Sequence, residues 1–142
     1  MVGFVMRTAV AGFAILGMAS SGAVAAGGTA EKPYRMEAVA GTSLKRIVLT
    51  PKAARRIDVK TGQMSTDAEG RLRAPYAAVF FDLKGETLVY TNPEPLTFIR
   101  QKVAVASVDA HDAILTEGPP TGMNVVTLGV AELYGTERGI GH

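Results

Sequence analysis

From residue 44 onward, apolar side chains recur at alternate positions in short runs, each closed by glycine, proline, asparagine or aspartate. A period of two marks a strand buried on one face. The runs 44–49, 59–64, 76–81, 87–91, 96–108, 113–116 and 123–128 are therefore expected to be strands. In the longest of them Leu96, Phe98, Val103, Val105 and Val108 carry the apolar phase, with Thr97, Arg100 and Lys102 between. The phase slips between Ile99 and Lys102, which predicts a bulge or a sheet corner there. Phe98 and one of the adjacent pair Phe80 and Phe81 are expected in the core, since neighbours on a strand face opposite ways.

One segment departs from the alternation toward a helix. Thr50 can cap a helix whose first position is Pro51, where the missing N–H costs nothing, and residues 53–57 supply the turns. Turns are expected at 66–70, 84–86 and 109–112. Asn92-Pro93-Glu94-Pro95 is expected to break its strand, because each proline removes a ladder donor. Residues 27–37, small and polar with Pro33, read as a flexible leader, and 140–142 as a frayed tail after Gly135 and Gly139. The expected fold class is all-β: a small SH3-like barrel over residues 38–139 with one short helix.

The first 26 residues read as a secretory signal peptide. Arg7 supplies the positive start, residues 8–19 the apolar stretch, and Ala23-Val24-Ala25 a small-x-small cleavage site. The chain is thus expected to be exported to a periplasmic or other extracytoplasmic space, beginning near Ala26 once processed. The roughly 116 residues left suffice for one core and are too few for two. With no cysteine in the chain, neither a disulfide framework nor a lipid-modified cysteine is available.

Charge matters by segment. Between residues 45 and 73 stand eight bases (Lys45, Arg46, Lys52, Arg55, Arg56, Lys60, Arg71, Arg73) against three acids (Asp58, Asp67, Glu69), whereas from Ala74 onward four bases face eight acids. The basic segment could orient the domain toward anionic headgroups or an acidic partner. Nucleic acid is not the expected partner, because no aromatic residues interleave the basic run and an exported chain does not meet it. A second contact edge is expected at Tyr90 to Leu96, where an aromatic precedes the rigid Pro93 and Pro95.

Catalytic chemistry finds no constellation. Ser43, Ser65 and Ser107 lack nucleophile-elbow surroundings, and His111 sits in a turn between aspartates. No cofactor motif occurs, since Gly135, Gly139 and Gly141 are not followed by the helix and lysine of a phosphate loop. Thioethers select Cu(I) or Ag(I), but Met36, Met64 and Met123 are far apart in sequence.

Pro75 with Ala78-Val79, Val89-Tyr90, Val103-Ala104-Val105, the turn Glu117-Gly118-Pro119-Pro120-Thr121-Gly122 and the closing run Val125-Val126-Thr127-Leu128-Gly129 follow in a suggestive order and spacing. Together they resemble the membrane-proximal C-terminal domain of the periplasmic adaptor subunits of RND-type efflux transporters, membrane fusion proteins of the HlyD/MdtA type. The similarity spans residues 47–139. It implies the permuted form of the SH3-like barrel and a non-catalytic role bridging a pump to the envelope. The chain departs from the family in two ways: Asp58 stands where a glycine usually follows the short helix, so that helix end is expected to differ, and no long heptad-patterned helices exist to form the adaptor hairpin.

The expected function is that of a secreted, non-enzymatic accessory protein of efflux transport. Its expected partners are a membrane efflux pump or a full-length adaptor subunit, with peripheral membrane contact, through Arg55, Arg56, Tyr90, Pro93 and Pro95. The alternative is an independent periplasmic module that binds a ligand or Cu/Ag.

Overall fold

The computed structural model describes residues 31–140, which belong to one compact unit; the expected signal peptide and the start of the leader lie outside the described residues. In chain order the elements are β1 (Tyr34–Ala38), β2 (Lys45–Leu49), α1 (Pro51–Arg56), β3 (Lys60–Gln63), β4 (Ser65–Thr66), β5 (Leu72–Pro75) and a 3₁₀ turn (Tyr76–Ala78). There follow β6 (Phe80–Phe81), β7 (Thr87–Glu94), β8 (Thr97–Lys102), β9 (Ala104–Asp109), β10 (Asp112–Glu117), β11 (Asn124–Leu128) and α2 (Val130–Glu137). The fold is mostly β, as the alternation predicts. The ladders form two antiparallel sheets rather than one closed barrel: β1-β2-β8-β7-β11-β3, with β6 also on β7, and β4-β5-β10-β9.

The larger sheet is covered on both faces. Val89 and Val125 point toward the smaller sheet, into a cluster with Met64, Ala74, Ala78, Val103, Ala113 and Leu115. Their neighbours Tyr90 and Val126 point the other way and join Ile47, Leu49, Phe98 and Leu133, with Ala53, Ala54 and Ile57 packed against them. Central strands buried on both sides lose the alternation in burial, and Leu88, Val89, Tyr90 and Thr91 are all buried.

The chain passes between sheets at two buried corners. Met64 separates β3 from β4, and Val103 separates β8 from β9, directly after the phase slip that predicts a corner. Each corner residue sits in the core between the sheets, so the bend is held by burial.

Several expectations are corrected. Residues 34–37 are part of a strand and not of a flexible leader: Tyr34 to Ala38 pair with Leu49 to Lys45, and Tyr34 and Met36 pack on the helix-side core. The helix runs from Pro51 to Arg56, and Tyr76–Ala78 is a 3₁₀ turn that drops Ala78 into the core, leaving only Phe80 and Phe81 to pair with β7. Pro93 does not end β7, because the register shifts between Thr91 and Glu94 and no ladder donor is needed at that position. The fold carries two helices and not one: α2 follows β11 and is anchored by Leu133 at 0% exposure.

Candidate partner-contact site

Local sequence fixes α1 at both ends. The Thr50 hydroxyl accepts from the Ala53 N–H at 3.1 Å, and Pro51 opens the first turn. At the far end the Asp58 N–H donates to Arg55 O and the Val59 N–H to Ala54 O, both at 3.2 Å, with Asp58 left-handed at φ 51°. That pair of bonds is the Schellman ending, so the helix closes as a glycine would close it, and the expected difference does not arise. Ala53, Ala54 and Ile57 face the core; Lys52, Arg55 and Arg56 are exposed. Arg55 and Arg56 occupy the last turn, where the helix dipole favours cations.

The basic segment narrows once ion pairs are drawn. Arg46 lies 3.6 Å from Glu37 and Lys60 3.5 Å from Asp58. Arg71 bonds Asp67 at 2.8 Å, and Arg73 bonds Asp109 at 2.8 Å with Asp112 at 3.4 Å. Burial works to raise the Asp67 carboxyl's pKa, but the Arg71 amide and guanidinium together with the Glu69 amide hold it below the ordinary carboxylate value. Four of the eight bases are thus matched by acids, and three of the remainder, Lys52, Arg55 and Arg56, share the outer side of α1. Lys45 is the fourth.

Pro93 and Pro95 are exposed at the tip of the β7–β8 hairpin. The tip is rigid: Asn92 Nδ2 donates to Glu94 O at 2.7 Å and to Thr97 O at 2.9 Å, and Leu96 is left-handed at φ 61°. The Leu49 N–H donates to Leu96 O at 2.9 Å, which sets this tip beside the start of α1. The arginines lie at the helix's other end, roughly 9 Å along its axis.

Tyr90 is not on that edge. It is wholly buried, its ring stacked on Phe80 with centroids 5.1 Å apart, and its hydroxyl donates to Glu137 Oε2 at 2.6 Å. Glu137 Oε1 is 2.9 Å from Arg100 Nε, so one carboxylate on α2 ties β7 to β8. Burial, then the Glu137 carboxylate, pushes the Tyr90 phenol far above its ordinary value. The sequence signal for this unit was present: Val130, Leu133, Tyr134 and Glu137 recur at helical spacing.

Beside this unit a cleft of about 460 Å³ opens between the β1–β2 turn, the β6–β7 turn, β8 and α2. A smaller recess of about 200 Å³ shares Ser43, Arg100 and Arg138 with it and adds Lys45 and Glu137. Lys102 pairs with Glu86 at 3.0 Å across the cleft's edge.

The other candidates are separate. Among the described residues no group of three or more histidine, cysteine, aspartate or glutamate side chains is placed to hold a metal ion. Met64 and Met123 meet in the core between the sheets, where the Met64 N–H donates to Met123 O at 2.9 Å, while Met36 packs on the opposite face of the larger sheet. His111 is exposed in the β9–β10 turn, its carbonyl accepting from the Tyr76 N–H at 2.8 Å. Comparison with family models, with curated proteins and with solved structures finds no match to this chain.

Proposed function

We propose that the chain is an exported, non-enzymatic accessory of a membrane efflux transporter, binding the pump or its adaptor subunit through the cationic side of α1. The observation that supports this reading is the contraction of the basic segment to Lys52, Arg55 and Arg56. These three form an exposed stripe at i, i+3 and i+4 on a helix whose other side is fixed to the core. An acidic surface would meet three cations without displacing an ion-pair partner among the described residues, and pairing across such a rim sets association rate and salt dependence. The order and spacing of the sequence segments that resemble an adaptor domain supply the class of partner. The rigid prolines beside the helix start extend the contact edge.

A photo-crosslinking residue in place of Lys52, used in intact envelopes, tests the proposal. The expected product joins the chain to an exporter or adaptor subunit, and Arg55→Glu with Arg56→Glu abolishes it. A product of equal yield in the reversed variant, or products with no transport component, would overturn it.

A further inference from the structure

The turn between β6 and β7 presents apolar side chains to solvent in a fixed geometry. Phe81 is 65% exposed and Leu83 is 74% exposed, two residues apart. Phe80 is the neighbour turned inward, stacked on Tyr90, so strand alternation sends Phe81 outward. The turn itself is braced. Asp82 Oδ1 accepts from the Lys84 N–H at 2.8 Å and from the Glu86 N–H at 2.9 Å, the Gly85 N–H donates to Asp82 O at 3.0 Å, and the Leu83 N–H donates to the Tyr134 hydroxyl of α2 at 3.3 Å. Holding Leu83 in solvent on a braced turn costs hydration free energy, and a partner that covers it meets little ordering cost.

The chemistry behind the turn is cationic. Lys45, Lys84, Arg100, Lys102 and Arg138 line the cleft and its recess, against Asp82, Glu86 and Glu137. Lys102 is matched by Glu86 and Arg100 by Glu137, which leaves Lys45, Lys84 and Arg138 exposed without an ion pair among the described residues. Ile140, also 65% exposed, follows Arg138 by two residues. Exposed apolar side chains and cations without ion pairs, joined through the cleft that Leu83, Lys84 and Arg138 line, suit the layering of an anionic bilayer, with acyl chains below phosphates.

We propose that this turn docks the protein on an anionic phospholipid bilayer, Phe81 and Leu83 entering the interfacial zone while Lys45, Lys84 and Arg138 take headgroup phosphates. The surface shares no residue with the cationic side of α1 and needs no exporter, so it goes beyond the reading above and can fail independently of it.

The chain contains no tryptophan, so Phe81→Trp in the full chain is a reporter confined to the turn. Adding phosphatidylcholine vesicles that contain phosphatidylglycerol is expected to shift its emission to the blue and expose it to quenching by bromine-labelled lipid. Pure phosphatidylcholine should give a much smaller response, and inorganic phosphate alone none. Emission unmoved by anionic vesicles would overturn the proposal, as would inorganic phosphate displacing the protein at unchanged ionic strength, which would mark a site for a free oxyanion. In co-sedimentation, Phe81→Ser with Leu83→Ser should lower partitioning at least about tenfold relative to wild type. Both chains are compared after processing near Ala26, so that the N-terminal apolar stretch contributes to neither, and equal sedimentation would show that the turn does not insert.

Discussion

Two helix ends in this chain solve one problem with different residues. In α1 the left-handed position is Asp58, and in α2 it is Gly139 at φ 72°, with Gly139 and Ile140 donating to Thr136 O and Gly135 O. Glycine takes that conformation without a Cβ penalty; aspartate does not. The Lys60 partner of Asp58 is an exposed ion pair of small worth. Asp58→Gly should therefore stabilise the fold by about 0.5–1 kcal/mol, and Gly139→Ala should destabilise it by a similar amount, read as opposite shifts in denaturant midpoint at constant slope. Tyr90 carries a larger effect. Tyr90→Phe leaves a Glu137 oxygen without its donor at a carboxylate whose side chain is 6% exposed, and should cost about 1–3 kcal/mol. The same phenol makes stability depend on alkaline pH. Its folded value lies above the unfolded 10.0, so its contribution is full below that pH and fades as pH rises past it. Tyr90→Phe should flatten that alkaline slope; an unchanged slope would assign it to other groups.

At the scale of elements, the sequence is most legible where a strand has one covered face and least where strand order decides. The corner at Val103 follows from the slip in phase before it, and the cap of α1 follows from Thr50-Pro51. The exposure of Arg55 and Arg56 follows from helical spacing against Ala53, Ala54 and Ile57. Tyr90 is different: only the placement of β7 between β8 and β11, with helices above and a second sheet below, buries both of its faces, and alternation carries no such information. The strand β1 was illegible because two apolar residues, Tyr34 and Met36, make too short a pattern. The helix α2 was obscured by Gly135 and Gly139, which read as breakers although the second one is the cap. Its weight in the fold can be measured. Leu133 is wholly buried beside Tyr90 and Val126, so Leu133→Ala should cost about 2–5 kcal/mol, whereas a frayed tail would cost nothing measurable. A thermal melt separates the two outcomes.

For the whole molecule, the larger sheet is assembled from both halves of the chain. β2 lies outside β8, β3 lies outside β11, and α1 bridges between them over the same face that α2 covers. Residues 44–64 contribute β2, α1 and β3 together with the corner residue Met64, so their removal strips Ile47 and Leu49 from one core and Met64 from the other. Each such side chain is worth roughly 1.5–3 kcal/mol in burial, and a domain's entire stability is about 5–15 kcal/mol. The loss is compounded because β1 has no other neighbour in its sheet and Phe98 and Tyr90 lose their cover. The segment 74–139 alone keeps β6 to β11 and α2, but it leaves β10 without β5 and β11 without β3. Both the chain lacking residues 44–64 and the isolated segment 74–139 should therefore show no cooperative thermal transition and should bind a hydrophobic dye in native buffer. A sharp melt in either one would mean that the smaller sheet and β7, β8 and β11 hold a self-sufficient core, and that the N-terminal strands and α1 are an addition to it.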